Sequence, residues 1–313
     1  MCTPFVRLLC LLPLVFIACG TPAGAQSAPA LDLLVLGSGG PGATGRASSS
    51  YLVFIDGNAR ILVDAGPGSF ARLGEAQVPL TNVDIVLLTH LHIDHAGELP
   101  GLFKARAVSS PAPIVFNIWG PEGSPPDSPG AYFPSTKRFL QLLFGPKGAF
   151  AYLSDFSAPL TIQAHDIPAQ PGANARSQVI FKEGGLAIRG IAGHHGDAPA
   201  VIYRVDYAGK SITFSGDIDS AGLEDLRTAA QGSDLLVFNS VVLDPPGSPA
   251  ILYTLHTPPH AIGLLAKQAG VRALLLSHLS PATDEMRAAV LQSIRQNFAG
   301  PVSFAQDGLR IQP

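Results

Sequence analysis

The segment Thr89-His90-Leu91-His92-Ile93-Asp94-His95 constrains this chain more than any other. Three imidazoles and a carboxylate fall within six residues. The preceding run, Val83 to Leu88, is apolar except for Asp84 and reads as a buried strand. The following run, Ala96 to Phe103, opens a short helix or turn. The cluster therefore belongs to a loop at a strand's carboxyl end, where ligands can converge. His90 and His92 are one residue apart, so an extended backbone sends both rings to one side. Asp94 and His95 follow on the bend and face elsewhere. Imidazole and carboxylate donors without thiolate suit Zn²⁺, Mn²⁺ or Fe. Two ligand sets from one loop imply two neighbouring divalent ions. Lone histidines are usually surface or core residues without a chemical role, but three beside an acid, directly after an apolar strand, do not fit that description.

The start of the chain reads as a targeting segment. Arg7 is the only charged side chain in residues 1–25, and Leu8 to Ala18 is an apolar run too short to span a bilayer. Small residues follow, ending in Ala23-Gly24-Ala25, so a signal peptide cleaved after Ala25 is expected, with 26–313 as one domain. The alternative is a lipoprotein box, Phe16-Ile17-Ala18-Cys19, with a lipid anchor on Cys19. Either way the protein is expected to be exported, periplasmic or secreted, with no transmembrane segment. Cys2, Cys10 and Cys19 all lie in this segment, so cleavage after Ala25 removes disulfides, thiol nucleophiles and thiolate ligands together. It also removes Arg7, leaving 19 of the 20 basic side chains against 23 acidic ones, a net charge of −4. That balance offers no basic footprint, and no nucleic-acid partner is expected from it.

Further along, Leu31–Gly37, Ser50–Ile55 and Arg60–Asp64 read as strands. Gly37, Gly39 and Gly42 match G-x-G-x-x-G, but Pro41 and a strand follow instead of a helix, so a tight turn explains them better than a dinucleotide site. Pro111–Trp119 reads as a strand, Gly120–Ser135 and Pro168–Ser177 as loops, and Thr136–Phe144 as a helix. His165 stands alone and reads as a surface residue. Val201–Asp206 and Ser211–Phe214 form a hairpin through Tyr207-Ala208-Gly209-Lys210, leading to Ser215-Gly216-Asp217. Ser233–Phe238 and Val271–Leu276 are strands around a helix that Thr257 caps, with Pro258 at its first position, an apolar stripe of Ala261, Leu264 and Leu265, and Gly270 at its end. A last amphipathic helix, 284–297, follows Thr283 as its cap. Eight of the nine histidines fall at or near these motifs.

The pattern H-x-H-x-D-H resembles the metal loop of the metallo-β-lactamase superfamily, and Leu36-Gly37-Ser38-Gly39-Gly40-Pro41 resembles the opening loop of its ribonuclease Z and phosphodiesterase branch. The resemblance runs to Leu276-Ser277-His278-Leu279-Ser280-Pro281. It implies an α/β fold, a four-layer αββα sandwich with two metals at the edge of two sheets. It implies that His90, His92 and His195 hold one ion, that Asp94, His95 and His278 hold the other, and that Asp217, with two oxygens, bridges them. His195 is preferred to His194 on the family's spacing from ligand to strand. Asp64 would support the metal loop without binding metal. The stretch from His256-Thr257 to His278 resembles the H-S-T to T-H-I-S stretch of ribonuclease Z, where the first histidine assists catalysis beside the leaving group. Ribonuclease Z carries a glutamate where this chain has Asn239.

The implied activity is hydrolysis of a small-molecule ester, first of all a phosphodiester, by a hydroxide held between the metals, with Asp94 orienting it and His256 stabilising developing charge. Two other readings are an arylsulfatase or lactonase and a non-hydrolytic metal- or ligand-binding protein. Metal content followed by turnover of representative esters separates them.

Overall fold

In this computed structural model residues 30–42, 44–109, 112–125, 127, 130–156, 159–169 and 177–313 are described. Residues 1–29, which include the expected signal peptide and the three cysteines, and positions 170–176 lie outside the described residues. No helix among the described residues is long and apolar enough to cross a membrane.

All seven residues of β1 (Leu31–Gly37) are buried, so the strand must be covered on both faces. Alternation then divides its side chains between two cores. Leu33 and Val35 face one way, into a cluster with Val53, Ile61, Val63, Ile188, Val205 and Phe214. Leu34 and Leu36 face the other, against Leu73, Leu99, Leu102 and Phe103. A third cluster sets Ile202, Leu236, Phe238, Leu274 and Leu276 against Leu226, Ile262, Leu265, Val290 and Ile294. Three cores separate four layers, helix, sheet, sheet and helix, and each fully buried Leu or Ile contributes about 1.5–3 kcal/mol.

The first sheet has the order β14-β1-β2-β3-β4-β5-β6. Its strands after β1 are β2 (Ser50–Ile55), β3 (Asn58–Ala65), β4 (Ile85–Leu87), β5 (Ile114–Pro121), β6 (Leu160–Ile167) and β14 (Arg310–Ile311). The second, β13-β12-β11-β10-β9-β8-β7, holds β7 (Gln178–Glu183), β8 (Leu186–His195), β9 (Ala198–Tyr207), β10 (Lys210–Phe214), β11 (Leu235–Asn239), β12 (Ala273–Ser277) and β13 (Val302–Phe304). Helices α1 (Ser69–Ala76), α2 (Ile93–Ala96), α3 (Leu99–Ser109) and α4 (Thr136–Phe144) accompany the first sheet. Helices α5 (Leu223–Ala229), α6 (Pro259–Gln268), α7 (Pro281–Glu285) and α8 (Arg287–Arg295) accompany the second.

Strands β3 to β6 are parallel, as are β10 to β13, and the β8–β9–β10 meander returns β8 to the direction of β10. Their carboxyl ends therefore gather the loops that carry the histidines and acids. Three buried hydrogen bonds join the sheets nearby. Val201 N–H donates to the Thr89 carbonyl (2.7 Å), the Tyr203 hydroxyl to the Leu88 carbonyl (3.0 Å), and the Tyr51 hydroxyl to Ser277 Oγ (2.7 Å). Tyr203→Phe should lower unfolding free energy by about 1–3 kcal/mol, because the Leu88 carbonyl loses a buried donor. Denaturant titration measures it; an unchanged midpoint would show the bond to be dispensable.

Several sequence expectations change. His165 is not a surface residue: it lies in β6, half-buried and stacked on Trp119 with ring centroids 4.8 Å apart. The α6 cap is Pro258, and Pro259 takes the first helical position. The Thr257 hydroxyl instead donates to the Ile218 carbonyl (3.0 Å). The buried face of α6 is Ile262, Leu265 and Ala266, whereas Leu264 is exposed. The expected helix 284–297 is two helices broken at Met286, and Ser280, not Thr283, caps the first by accepting from Thr283 N–H.

Candidate metal centre

Four strand ends and one loop build the centre. His90, His92, Asp94 and His95 follow β4. His195 ends β8, Asp217 follows β10, and His278 follows β12. One donor atom from each of His90, His92 and His195 lies within 4.8 Å of the others, and the same holds for Asp94, His95, Asp217 and His278. His195, Asp217 and His256 form a third such group. The structure thus brings together, in three adjoining groups, every residue that the sequence singled out for metal or catalysis. Asp217 Oδ2 stands 3.4 Å from His278 Nε2, 3.6 Å from His95 Nε2, 3.7 Å from His195 Nε2 and 4.0 Å from His90 Nε2.

The side chains behind the donors fix which ring nitrogen faces inward. His95 Nδ1 lies 2.8 Å from Asp64 Oδ2, and Asp64 also accepts from Thr89 N–H (2.7 Å) and the Thr89 hydroxyl (2.8 Å). Both Asp64 oxygens are thereby used at the base of the loop. His195 Nδ1 donates to the Leu255 carbonyl (2.8 Å), which leaves Nε2 with its lone pair toward Asp217. His194, adjacent in β8, points to the other side, with Nδ1 2.6 Å from Asp219 Oδ2. Asp64 and His278 have φ of 55° and 54°, a left-handed backbone that costs a non-glycine residue of order 1–3 kcal/mol and recurs at functional sites.

The glycine-rich turn has a part that its sequence did not reveal. A Cβ on Gly40 would lie 2.6 Å from His278 Cε1, so the loop closes directly over that ring. Gly39 bridges to Leu279 beside it.

The donor set fits divalent metal. His95 Nε2, buried between Asp94 and Asp217, has no hydrogen-bond partner among the described residues, and neither do His256 Nδ1 and His278 Nδ1. Such orphaned groups are rare and call for an ion or other ligand. Burial opposes charge on His95, yet Asp64 and Asp217 beside it hold its imidazole pKa well above the ordinary value. Burial also opposes charge on Asp217, but His278 and His95 hold it well below the usual carboxylate range. Burial pushes His90 and His92 down, which favours neutral rings, and His90 Nε2 and His92 Nδ1 face each other at 3.1 Å. The centre is binuclear in its donors, with nitrogen and oxygen only.

A family model described as the metallo-beta-lactamase superfamily matches residues 43–260. The chain belongs to this superfamily. Within it, the chain is homologous to ribonuclease Z: that of Mycobacterium avium is 29% identical over 297 residues, covering 90% of this chain and 98% of the relative. The ribonuclease Z of Mycobacterium marinum is 27% identical over 301 residues, with the same coverage. Among solved structures, the human short-form tRNase Z has a TM-score of 0.67 at 22% identity, covering 90% of this chain and 98% of that one. The Bacillus subtilis metallo-β-lactamase fold protein YhfI has a TM-score of 0.66 at 21% identity, covering 91% and 100%. With its two-metal donor cluster, this member of the superfamily is a metal-dependent hydrolase.

The expectation that no nucleic acid is a partner does not stand. The relatives that span nine-tenths of this chain are ribonucleases, and a structure sharing its fold is a tRNase. The physical reason is that side-chain charge omits the two divalent cations that the donor sets would hold, whose own positive charge would attract an anionic backbone without a lysine run.

His195→Ala should lose bound metal, whereas His194→Ala should retain most of it, because His194 faces Asp219. Metal analysis of the two purified variants checks this. The reverse pattern would exchange the two assignments.

Proposed function

We propose that this hydrolase cleaves phosphodiesters, RNA and nucleotide derivatives included, and that the metals are Zn²⁺. The observation that carries the reading is the convergence of two all-nitrogen-and-oxygen donor sets on Asp217 Oδ2, with His256 at their side. His90, His92 and His195 would hold one ion and Asp94, His95 and His278 the other, with Asp217 between the two sets. When bound, the ions acidify water and polarise a phosphoryl oxygen.

The chain's own residues do the remainder. Asp94 opens α2, with Oδ2 3.1 Å from His278 Nε2 and 3.7 Å from His95 Nε2. From there it accepts a hydrogen bond from the attacking water and aims it at phosphorus. His256 is buried, its ring centroid 5.3 Å from that of His195 and 6.0 Å from that of His278. It offers an N–H to an oxygen on which charge develops, the leaving oxygen or a phosphoryl oxygen. Water's oxygen bonds to phosphorus as its proton passes to Asp94, and the ester P–O bond breaks with its electron pair on the leaving oxygen, which takes its proton from solvent.

Turnover of bis-p-nitrophenyl phosphate, an RNA oligonucleotide, an aryl sulfate and a lactone tests this. Phosphodiesters should turn over fastest. A sulfate or lactone preferred over both phosphodiesters would overturn the substrate class. We further propose export with removal of residues 1–25; intact mass of the mature protein should place its start at Gln26, and a diacylglyceryl mass on Cys19 would refute that cleavage.

A further inference from the structure

We propose that Asn239 is a positioning residue that commits Asp217 to meet both metal sites through a single oxygen. The proposal rests on the binuclear reading of the site. Asn239 closes β11 and is buried. Its side-chain amide donates to Asp217 Oδ1 at 2.6 Å. A carboxylate only accepts, so the amide nitrogen and not its oxygen must face it. With Oδ1 held there, Oδ2 is the oxygen turned toward His90, His95, His195 and His278, at 3.4–4.0 Å. The two oxygens thus have separate partners, Asn239 at Oδ1 and the histidines around Oδ2, so that Oδ2 is the one that would meet both ions.

Asn239 is itself held in place. Its backbone N–H donates to Ser215 Oγ (3.1 Å), and the Ser215 hydroxyl donates to the Gly216 carbonyl (2.7 Å). Ser277 pairs with it from β12, the residue just before His278. The Ser-Gly-Asp turn and the end of β11 are therefore tied at two points, one backbone and one side chain. A neutral amide is well suited here. It satisfies the buried Oδ1 without adding an anion to a site that already holds Asp94 and Asp217.

Asn239→Leu keeps the branched side-chain shape at a larger volume and removes the donor. Stepwise Zn²⁺ affinities, measured by competition with a chelator, should fall at least about tenfold for the paired sites, the scale seen when a group that orients a metal ligand is lost. Asn239→Ala should show the same loss and guards against misfolding of the bulkier variant; circular dichroism confirms that each is folded. A merely space-filling Asn239 would leave the Leu variant with wild-type affinities, and that result would overturn the proposal. Failure of the binuclear reading is distinguishable, because the wild-type protein itself would then not take up two ions.

Discussion

Asp217→Ala should abolish two-metal binding and reduce hydrolysis to background. Oδ2 of this one side chain is the shared neighbour of His90, His95, His195 and His278. Removing it takes a ligand from both sites and leaves several imidazoles packed together without their central anion. Loss of a mere supporting group around a metal costs about 10–100-fold in affinity, so loss of the shared carboxylate should exceed that at both sites. Metal analysis after dialysis measures it. An Asp217→Ala protein that kept two ions per chain would remove the bridge from the account. One that kept a single ion would move Asp217 wholly to the other site.

His256→Ala should lower turnover by roughly 10²-fold or more while two ions stay bound, the scale of a lost transition-state donor. Seven other residues already supply the two donor groups. Burial pushes the His256 imidazole down to about 4, with the neighbouring His278 and His195 adding to the effect while Asp217 opposes it. It is therefore neutral at pH 7 and offers an N–H rather than a spare proton. The loss should accordingly be similar for an alkoxide and for p-nitrophenolate as leaving group. A loss confined to the alkoxide would make His256 a proton donor. Loss of metal would make it a ligand, as the grouping of His195, Asp217 and His256 permits.

The fold was legible where burial writes a continuous apolar run. Leu31–Gly37 and Ser50–Ile55 are strands with the boundaries expected, because both faces of each are covered. Strand β6 carries Thr161, Gln163, His165 and Asp166 among its apolar residues, and as an edge strand it is only partly buried, so its pattern is weak. Strand β7 is an edge of the second sheet and has no buried residue. The cap of α6 slipped by one residue because a tertiary partner, the Ile218 carbonyl, takes the Thr257 hydroxyl.

At the site, the histidine loop declared itself through density of ligands in a short span. Asp217 and His278 needed the family pattern, since each is alone in its segment. Asn239 gave no signal of its role, since a polar residue ending a strand is ordinary and its partner lies across the sheet on another strand end. Gly40 read as turn chemistry, although its lack of a Cβ is what lets the loop lie on His278.

The most direct test is a titration of chelator-treated, metal-free protein with Zn²⁺, following bound metal and bis-p-nitrophenyl phosphate turnover together. The account predicts uptake of two ions per chain, with hydrolysis rising as the second binds. Saturation at one ion, or hydrolysis that survives complete removal of metal, would contradict it.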